Sequence, residues 1–173
     1  MDDLRWGVRD MVEGDVGAVS EVRVRGWQWA YVGLVPSSYL DGLDVGEDAA
    51  RRRGYFADGS SGIANLVAED AGGDVVGWAA YGPPRGGELP QGEEELFALY
   101  ARPELVGTGI GRALLGEVLR RTPHSALRLW VVEGNTRARR FYERAGFLAD
   151  GAGRVDEYHG VLVPEVRYHR PRG

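Results

Sequence analysis

The 173-residue chain contains no cysteine and no lysine; all 21 residues in its lysine-plus-arginine count are arginine. The missing thiols exclude disulfides, thiolate metal sites and a cysteine nucleophile. The missing amines exclude a Schiff-base lysine and the lysine of a Walker-type phosphate loop. Histidine is scarce too: His124, His159 and His169 are too scattered to read as a metal site, so no metal is expected. No apolar run is long enough to span a membrane, and the start, with Asp2, Asp3 and Arg5, lacks a basic-then-apolar secretion pattern. A cytoplasmic location is the expectation. Acids outnumber bases, giving a formal net charge of -5, which argues against a broad electrostatic footprint for nucleic acid.

What remains is an ordinary globular composition, 43% hydrophobic and 27% charged, and a length that suits one domain over residues 1–173. Leu4, Trp6 and Val8 alternate with polar or small residues and predict a first strand. Val16, Val19 and Val22 give helical spacing to residues 13–31, with Asp15 as the cap. Short helices are expected over residues 36–43, begun by Pro36, and over 47–56. Residues 63–69 and 75–81 read as strands joined by the hairpin turn Ala71–Asp74. Residues 82–92 read as a Gly/Pro-rich loop. Residues 95–101 form a nearly continuous apolar run, as in a strand buried on both faces. Strands are also expected at 126–132, 147–149 and 161–168, the last two around a loop containing Gly151-Ala152-Gly153. The sum is a mixed α/β sheet.

Two segments carry chemistry. Gly107, Gly109 and Gly111 alternate where a helix begins, and Ile110, Ala113, Leu114 and Val118 line one face of that helix. The first amides of a helix lack internal partners and sit at the positive end of its dipole, so a pyrophosphate satisfies both. Thr108 adds a hydroxyl and Arg112 a cation. A plain glycine turn is the alternative; the glycine spacing does not fit a dinucleotide-binding Rossmann loop. The second segment is a helix over residues 135–145, capped by Asn135 and stopped by Gly146, with Ala138, Phe141, Tyr142 and Ala145 on one face. That face suits core packing, but a buried Tyr142 needs a partner for its hydroxyl.

Together, Leu99-Tyr100-Ala101-Arg102-Pro103, Gly107-Thr108-Gly109-Ile110-Gly111 and Asn135…Ala138…Phe141-Tyr142…Gly146-Phe147 resemble the GNAT superfamily of acyl-CoA-dependent N-acyltransferases. Glu165-Val166-Arg167-Tyr168 is similar to the family's closing strand. The resemblance implies a mostly antiparallel, twisted sheet of about seven strands, splayed centrally and flanked by helices. It implies acetyl-CoA as co-substrate, with its pyrophosphate on the loop from Val106 to Arg112. Its pantetheine arm would lie along Leu99, Tyr100 and Ala101, with Asn135, Ala138 and Tyr142 nearby. Val106 departs from the family, which usually has Gln or Arg there, and shifts weight to backbone amides and Arg112.

With no cysteine, direct attack by an acceptor amine on the thioester is the simplest route. Neutralising an amine of pKa near 10.4 at pH 7 costs about 4–5 kcal/mol, so a base is useful. The resemblance points to Tyr142 as the acid for the leaving thiolate and to Glu95 as the base. Glu95 also reads as an exposed carboxylate beside Glu93 and Glu94. On the acceptor side Trp27, Trp29, Tyr31 and Tyr39 offer an aromatic wall, although Trp27 and Tyr31 also fit a core-facing pair. Asp156 and Glu157, read as loop acids, offer a hold for an ammonium. The leading expectation is acetylation of a small primary amine. Peptide N-terminal acetylation and a non-catalytic acyl-CoA sensor are the alternatives, and a homodimer is left open.

Overall fold

A computed structural model describes residues 5–59, 61–84 and 92–173. Leu4 and most of the expected 82–92 loop lie outside the described residues. Strand β1 (Gly7–Asp10) follows buried Trp6. A helical turn, Glu13–Asp15, leads into α1 (Val16–Ala30), which buries Val16, Val19 and Val22. Asp15 does not cap α1 with its side chain. Its carboxylate instead accepts from the Val12 amide at 2.8 Å and from Arg9 at 2.7 Å, because the preceding turn already aligns the chain.

Two helices follow, α2 (Ser37–Asp41) and α3 (Val45–Asp58). The Asp44 side chain caps α3 by accepting from the Glu47 amide at 2.8 Å. Strands β2 (Ala64–Glu69) and β3 (Val75–Gly82) form the expected hairpin. Asp70 organises its turn, accepting from the amides of Gly72 and Asp74 at 2.9 Å each. Then come β4 (Glu93–Ala101), α4 (Ile110–Arg121), β5 (Ala126–Val132), α5 (Thr136–Arg144), β6 (Leu148–Tyr158) and β7 (Val161–Arg170).

The seven strands form one sheet in the order β1-β2-β3-β4-β5-β7-β6. All neighbours are antiparallel except β4 and β5. One face packs on α4 through Ile110, Leu114, Leu115 and Val118, together with Leu66, Val76, Leu129 and Tyr168. The other packs on α1 through Val16, Val19 and Val22 against Val67 and Trp78. Gly77 on β3 lets α4 approach: a Cβ there would lie 2.7 Å from Ile110 Cγ2.

Two expectations change. The 147–149 strand and the loop after it are a single long strand, β6, with an irregularity between Ala149 and Gly153 where its register to β7 shifts. Asp156 and Glu157 therefore sit in a strand, paired with Val163 and Leu162. Strand β4 is not buried on both faces. Only Leu96 and Ala98 are fully buried, because the edge beside β5 borders a cavity.

Candidate active site

Parallel strands β4 and β5 are in register at only three pairs, Glu93–Ala126, Glu94–Leu127 and Glu95–Arg128. Beyond Glu95 they separate, and the β5-facing edge of β4 has no strand partner. On the other edge of β4, the register to β3 shifts between Ala80–Ala98 and Tyr81–Leu96, making Phe97 the extra residue of a bulge. Backbone polar groups left unpaired at such a gap are ready partners for a bound amide.

A cavity of about 410 Å³ fills the gap. Its lining includes Leu99, Tyr100 and Ala101 from β4, Val106, Gly107, Gly109, Gly111 and Arg112 from the loop and α4, and Asn135, Ala138 and Tyr142 from the second motif. Both sequence motifs thus meet at one place. Gly107 and Gly109 adopt φ of +85° and +99°, a region that favours glycine. The Ala113 amide donates to the Gly109 carbonyl at 2.9 Å, so the three amides before it lie in the unpaired first turn.

The motif residues do not all face the cavity. Ile110 is 1% exposed and sits in the core, and it does not line the cavity. The Thr108 hydroxyl donates to the Leu105 carbonyl, and the Thr108 carbonyl accepts from Trp6 Nε1 at 3.1 Å. Gly111 also serves packing, since a Cβ there would meet Phe141 Cζ at 3.3 Å. The Asn135 side chain caps α5 by accepting from the Ala138 amide at 3.2 Å.

Sequence reasoning missed Arg137. From the exposed face of α5 it reaches the glycine loop: an added Cβ on Gly107 would lie 3.6 Å from Arg137 Nη2. Its Cζ stacks 4.9 Å from the Trp29 ring centroid. Arg112, Arg137 and Arg144 line the cavity, and among the described residues no carboxylate does. The arginine-rich helix could have signalled this, but only the fold brings it beside Gly107.

A second cavity of about 220 Å³ adjoins the first and shares its lining residues Tyr31, Leu96, Phe97, Tyr100 and Trp130. Glu95 lines only this smaller chamber, as do Trp27 and Asp156. Trp27 and Tyr31 pack edge to face at 4.7 Å, so they are both a packed pair and a cavity wall. Trp29 instead lines the first cavity, and Tyr39 packs edge to face against Tyr158 at 4.8 Å without lining the chamber.

The Tyr31 and Tyr100 hydroxyls lie 3.2 Å apart at the junction. The Tyr142 hydroxyl has no hydrogen-bond partner among the described residues. Burial, reinforced by Tyr100, pushes its pKa up, so it is neutral and able to donate at pH 7. Among the glutamates that open β4, burial raises the pKa of Glu94.

An open cleft between splayed parallel strands, a cationic rim and a helix start aimed into it define an acyl-CoA-type transferase site. Residues 27–147 match the model of the acetyltransferase (GNAT) family, and the chain belongs to it. It is an acyl-CoA-dependent N-acetyltransferase. It is 32% identical over 131 residues to the uncharacterized N-acetyltransferase YuaI of Bacillus subtilis, covering 74% of this chain and 72% of that one. It is 34% identical over 108 residues to an L-methionine sulfoximine/L-methionine sulfone acetyltransferase of Pseudomonas paraeruginosa, covering 60% and 62% of the two chains. Its fold matches the PaiA N-acetyltransferase of Thermoplasma acidophilum, solved with coenzyme A. The TM-score is 0.67 at 21% identity, over 92% of this chain and 97% of that one. Among the described residues, no helix is long and apolar enough to cross a membrane.

Buried tyrosines give the protein a pH signature. Burial is the first cause of raised pKa values at Tyr31, Tyr81, Tyr100, Tyr142 and Tyr158. A raised folded-state value means the native chain holds protons that the unfolded chain has lost, so stability falls as pH rises past the unfolded value of about 10. Urea unfolding midpoints are expected to stay level near neutrality and to drop above about pH 10; a midpoint still level at about pH 11 contradicts this assignment.

Proposed function

We propose that the protein, as one domain over residues 1–173, transfers the acetyl group of acetyl-CoA to a primary amine of a small molecule by direct attack in a ternary complex. The observation that carries this reading is the pair of adjoining cavities, one cationic and one small, that meet at the splay between β4 and β5. A chamber of about 220 Å³ is below the usual range for a drug-sized ligand and suits a compact acceptor better than a peptide. The Pseudomonas relative is named for small amino-acid-like acceptors, which agrees with that scale.

Bound acetyl-CoA supplies the thioester. The chain's own groups hold it. The amides at the start of α4 and the guanidiniums of Arg112 and Arg137 take its phosphates, and the open edge of β4 at Leu99 and Ala101 pairs with its amide-bearing arm. Arg137 fills the place of the cation that Val106 does not provide.

The acceptor enters through the chamber and loses a proton to Glu95, directly or through water. Its nitrogen forms the new N–C bond at the thioester carbonyl and sheds its second proton to water, and the C–S bond breaks to release coenzyme A as the thiolate. Tyr142 donates to the departing sulfur. An ordinary thiol, with pKa about 8.5, is a stronger acid than a raised tyrosine, so Tyr142 acts chiefly as a hydrogen-bond donor unless the thiolate is also destabilised. The same enclosure that raises Tyr142 disfavours a bare thiolate and narrows that gap.

Tyr142→Phe is expected to lower kcat about a hundredfold with little change in acetyl-CoA affinity, in steady-state assays of free thiol. Unaltered turnover would remove Tyr142 from the chemistry. Glu95→Gln is expected to flatten the acidic limb of the pH–rate profile, whereas an intact limb assigns the proton to another group. Arg137→Ala is expected to weaken coenzyme A binding about tenfold by calorimetry, the scale of a charge-assisted hydrogen bond; equal affinity would exclude that contact.

A further inference from the structure

The sheet ends on two edges, β1 and β6, and among the described residues β6 pairs with β7 alone. Strand β1 spans 4 residues, but β6 spans 11 and contains no proline. A long edge strand leaves a row of amides and carbonyls for another strand to pair with. The end of β6 is held firmly. Its tight turn puts His159 at φ +47° and Gly160 at +81°, and Ser38 Oγ lies 3.0 Å from His159 Nδ1. Tyr158 packs on Trp27 at 6.0 Å and on Tyr39 at 4.8 Å.

Pro164 reveals which backbone groups of β6 face outward. Its carbonyl accepts from the Glu133 amide at 2.9 Å, so it turns toward β5 and away from β6. Val155 pairs with Pro164. In an antiparallel ladder that pair is therefore a non-hydrogen-bonded one, and the Val155 N–H and C=O point to the open edge. Alternation along the strand sends the polar groups of Gly153 and Glu157 the same way, while those of Arg154 and Asp156 serve β7.

The side chains select a register for a second copy of the same strand. With two β6 strands antiparallel about a twofold axis at Val155, Arg154 faces the partner's Asp156 and Asp156 faces the partner's Arg154. Gly153 faces the partner's Glu157, and Val155, 59% exposed in the single chain, meets the partner's Val155. Moving the axis by one residue sets Arg154 against the partner's Arg154 or Asp156 against the partner's Asp156. Moving it two residues toward the turn sets Glu157 against the partner's Glu157. Two residues the other way, the pairing runs into the irregular stretch between Ala149 and Gly153. Opposite charges directly across a ladder stabilise it and like charges destabilise it, so the axis at Val155 is favoured over its neighbours.

Both members of the charge pair have capacity for it. Arg154 gives Nε to Glu165 at 2.6 Å, yet its side chain is 49% exposed, and a guanidinium carries five N–H donors. Asp156 is exposed and joins no ion pair among the described residues. We propose that two copies of the chain associate through β6, antiparallel about Val155, and join their sheets into one. Arg154 and Asp156 also line the smaller chamber, so the contact fixes two side chains of its wall.

The test combines native mass by light scattering with single cysteines placed in a chain that has none. The unsubstituted protein is expected at twice its chain mass of 18.9 kDa in a dilution series reaching about 100 μM, well above a micromolar Kd. Val155→Cys is expected to form a disulfide-linked dimer under oxidised glutathione, because residues at the axis lie about 5.5 Å apart at Cα, within disulfide reach. Glu157→Cys, exposed on the same edge, is expected to stay unlinked, since its two copies stand about 14 Å apart. Asp156→Arg, which sets like charges across both ends of the pairing, is expected to halve the mass without changing the circular dichroism spectrum. A monomer throughout the dilution series overturns the proposal. So does a dimer that survives Asp156→Arg or cross-links equally at the two cysteines, since either result puts the contact elsewhere. If Asp156→Arg fails to fold, the two cysteine variants decide the matter by themselves.

Discussion

The site depends on a sheet that stops pairing. Strands β4 and β5 hold register for three residue pairs and then part, although both continue for several residues. A continuous sheet would have consumed the backbone donors and acceptors along that edge. Because it is interrupted, one side of the gap receives the glycine loop and α5, and the other receives α1 and the β6–β7 hairpin. The bulge at Phe97 falls on the same stretch of β4, so its twist and the opening are local to one another. The cost of the missing ladder is met elsewhere, by the buried faces of α1 and α4 against the rest of the sheet.

The gap also divides charge. Among the described residues, arginines provide the ionic lining on the α5 side, and carboxylates outnumber them on the hairpin side, a separation hidden by the overall charge of -5. Arginine is well suited to the first role, since its planar guanidinium binds phosphate through two hydrogen bonds and stacks on rings such as Trp29. The absence of lysine has a chemical counterpart: no side chain of the enzyme offers an amine to compete for its own acetyl donor.

Local signals carried most of the fold into the sequence. The alternation in residues 126–132, the Asn135 cap and the apolar face of Ile110, Leu114 and Val118 each report a structure formed by neighbours in the chain. The family resemblance added the splay. Features that failed locally did so for identifiable reasons. Gly151-Ala152-Gly153 has loop composition, yet β7 holds it in a strand with shifted register, so Asp156 and Glu157 were read as loop acids. Asp15 has the residue type of a cap, but Arg9 and the Val12 amide claim its carboxylate. Thr108 is placed like a ligand contact, but its hydroxyl is used within the loop. Arg137 and the smaller chamber were illegible because each exists only when distant segments meet: α5 with the glycine loop, and α1, β4, β5 and the last hairpin with one another.

The indole of Trp6 gives the loop an anchor 102 residues away in sequence, through its bond to the Thr108 carbonyl. That carbonyl lies between Gly107 and Gly109, the most freely rotating peptides of the region. Fixing it limits the orientations available to the amides on either side before any ligand arrives, so part of the ordering entropy that a ligand of the loop would otherwise demand is lost during folding instead. The edge of the sheet that begins at β1 and the donor cleft are therefore thermodynamically linked. Whatever loosens Trp6 raises the entropic cost of filling the loop, and a ligand seated there tightens the opposite margin of the sheet.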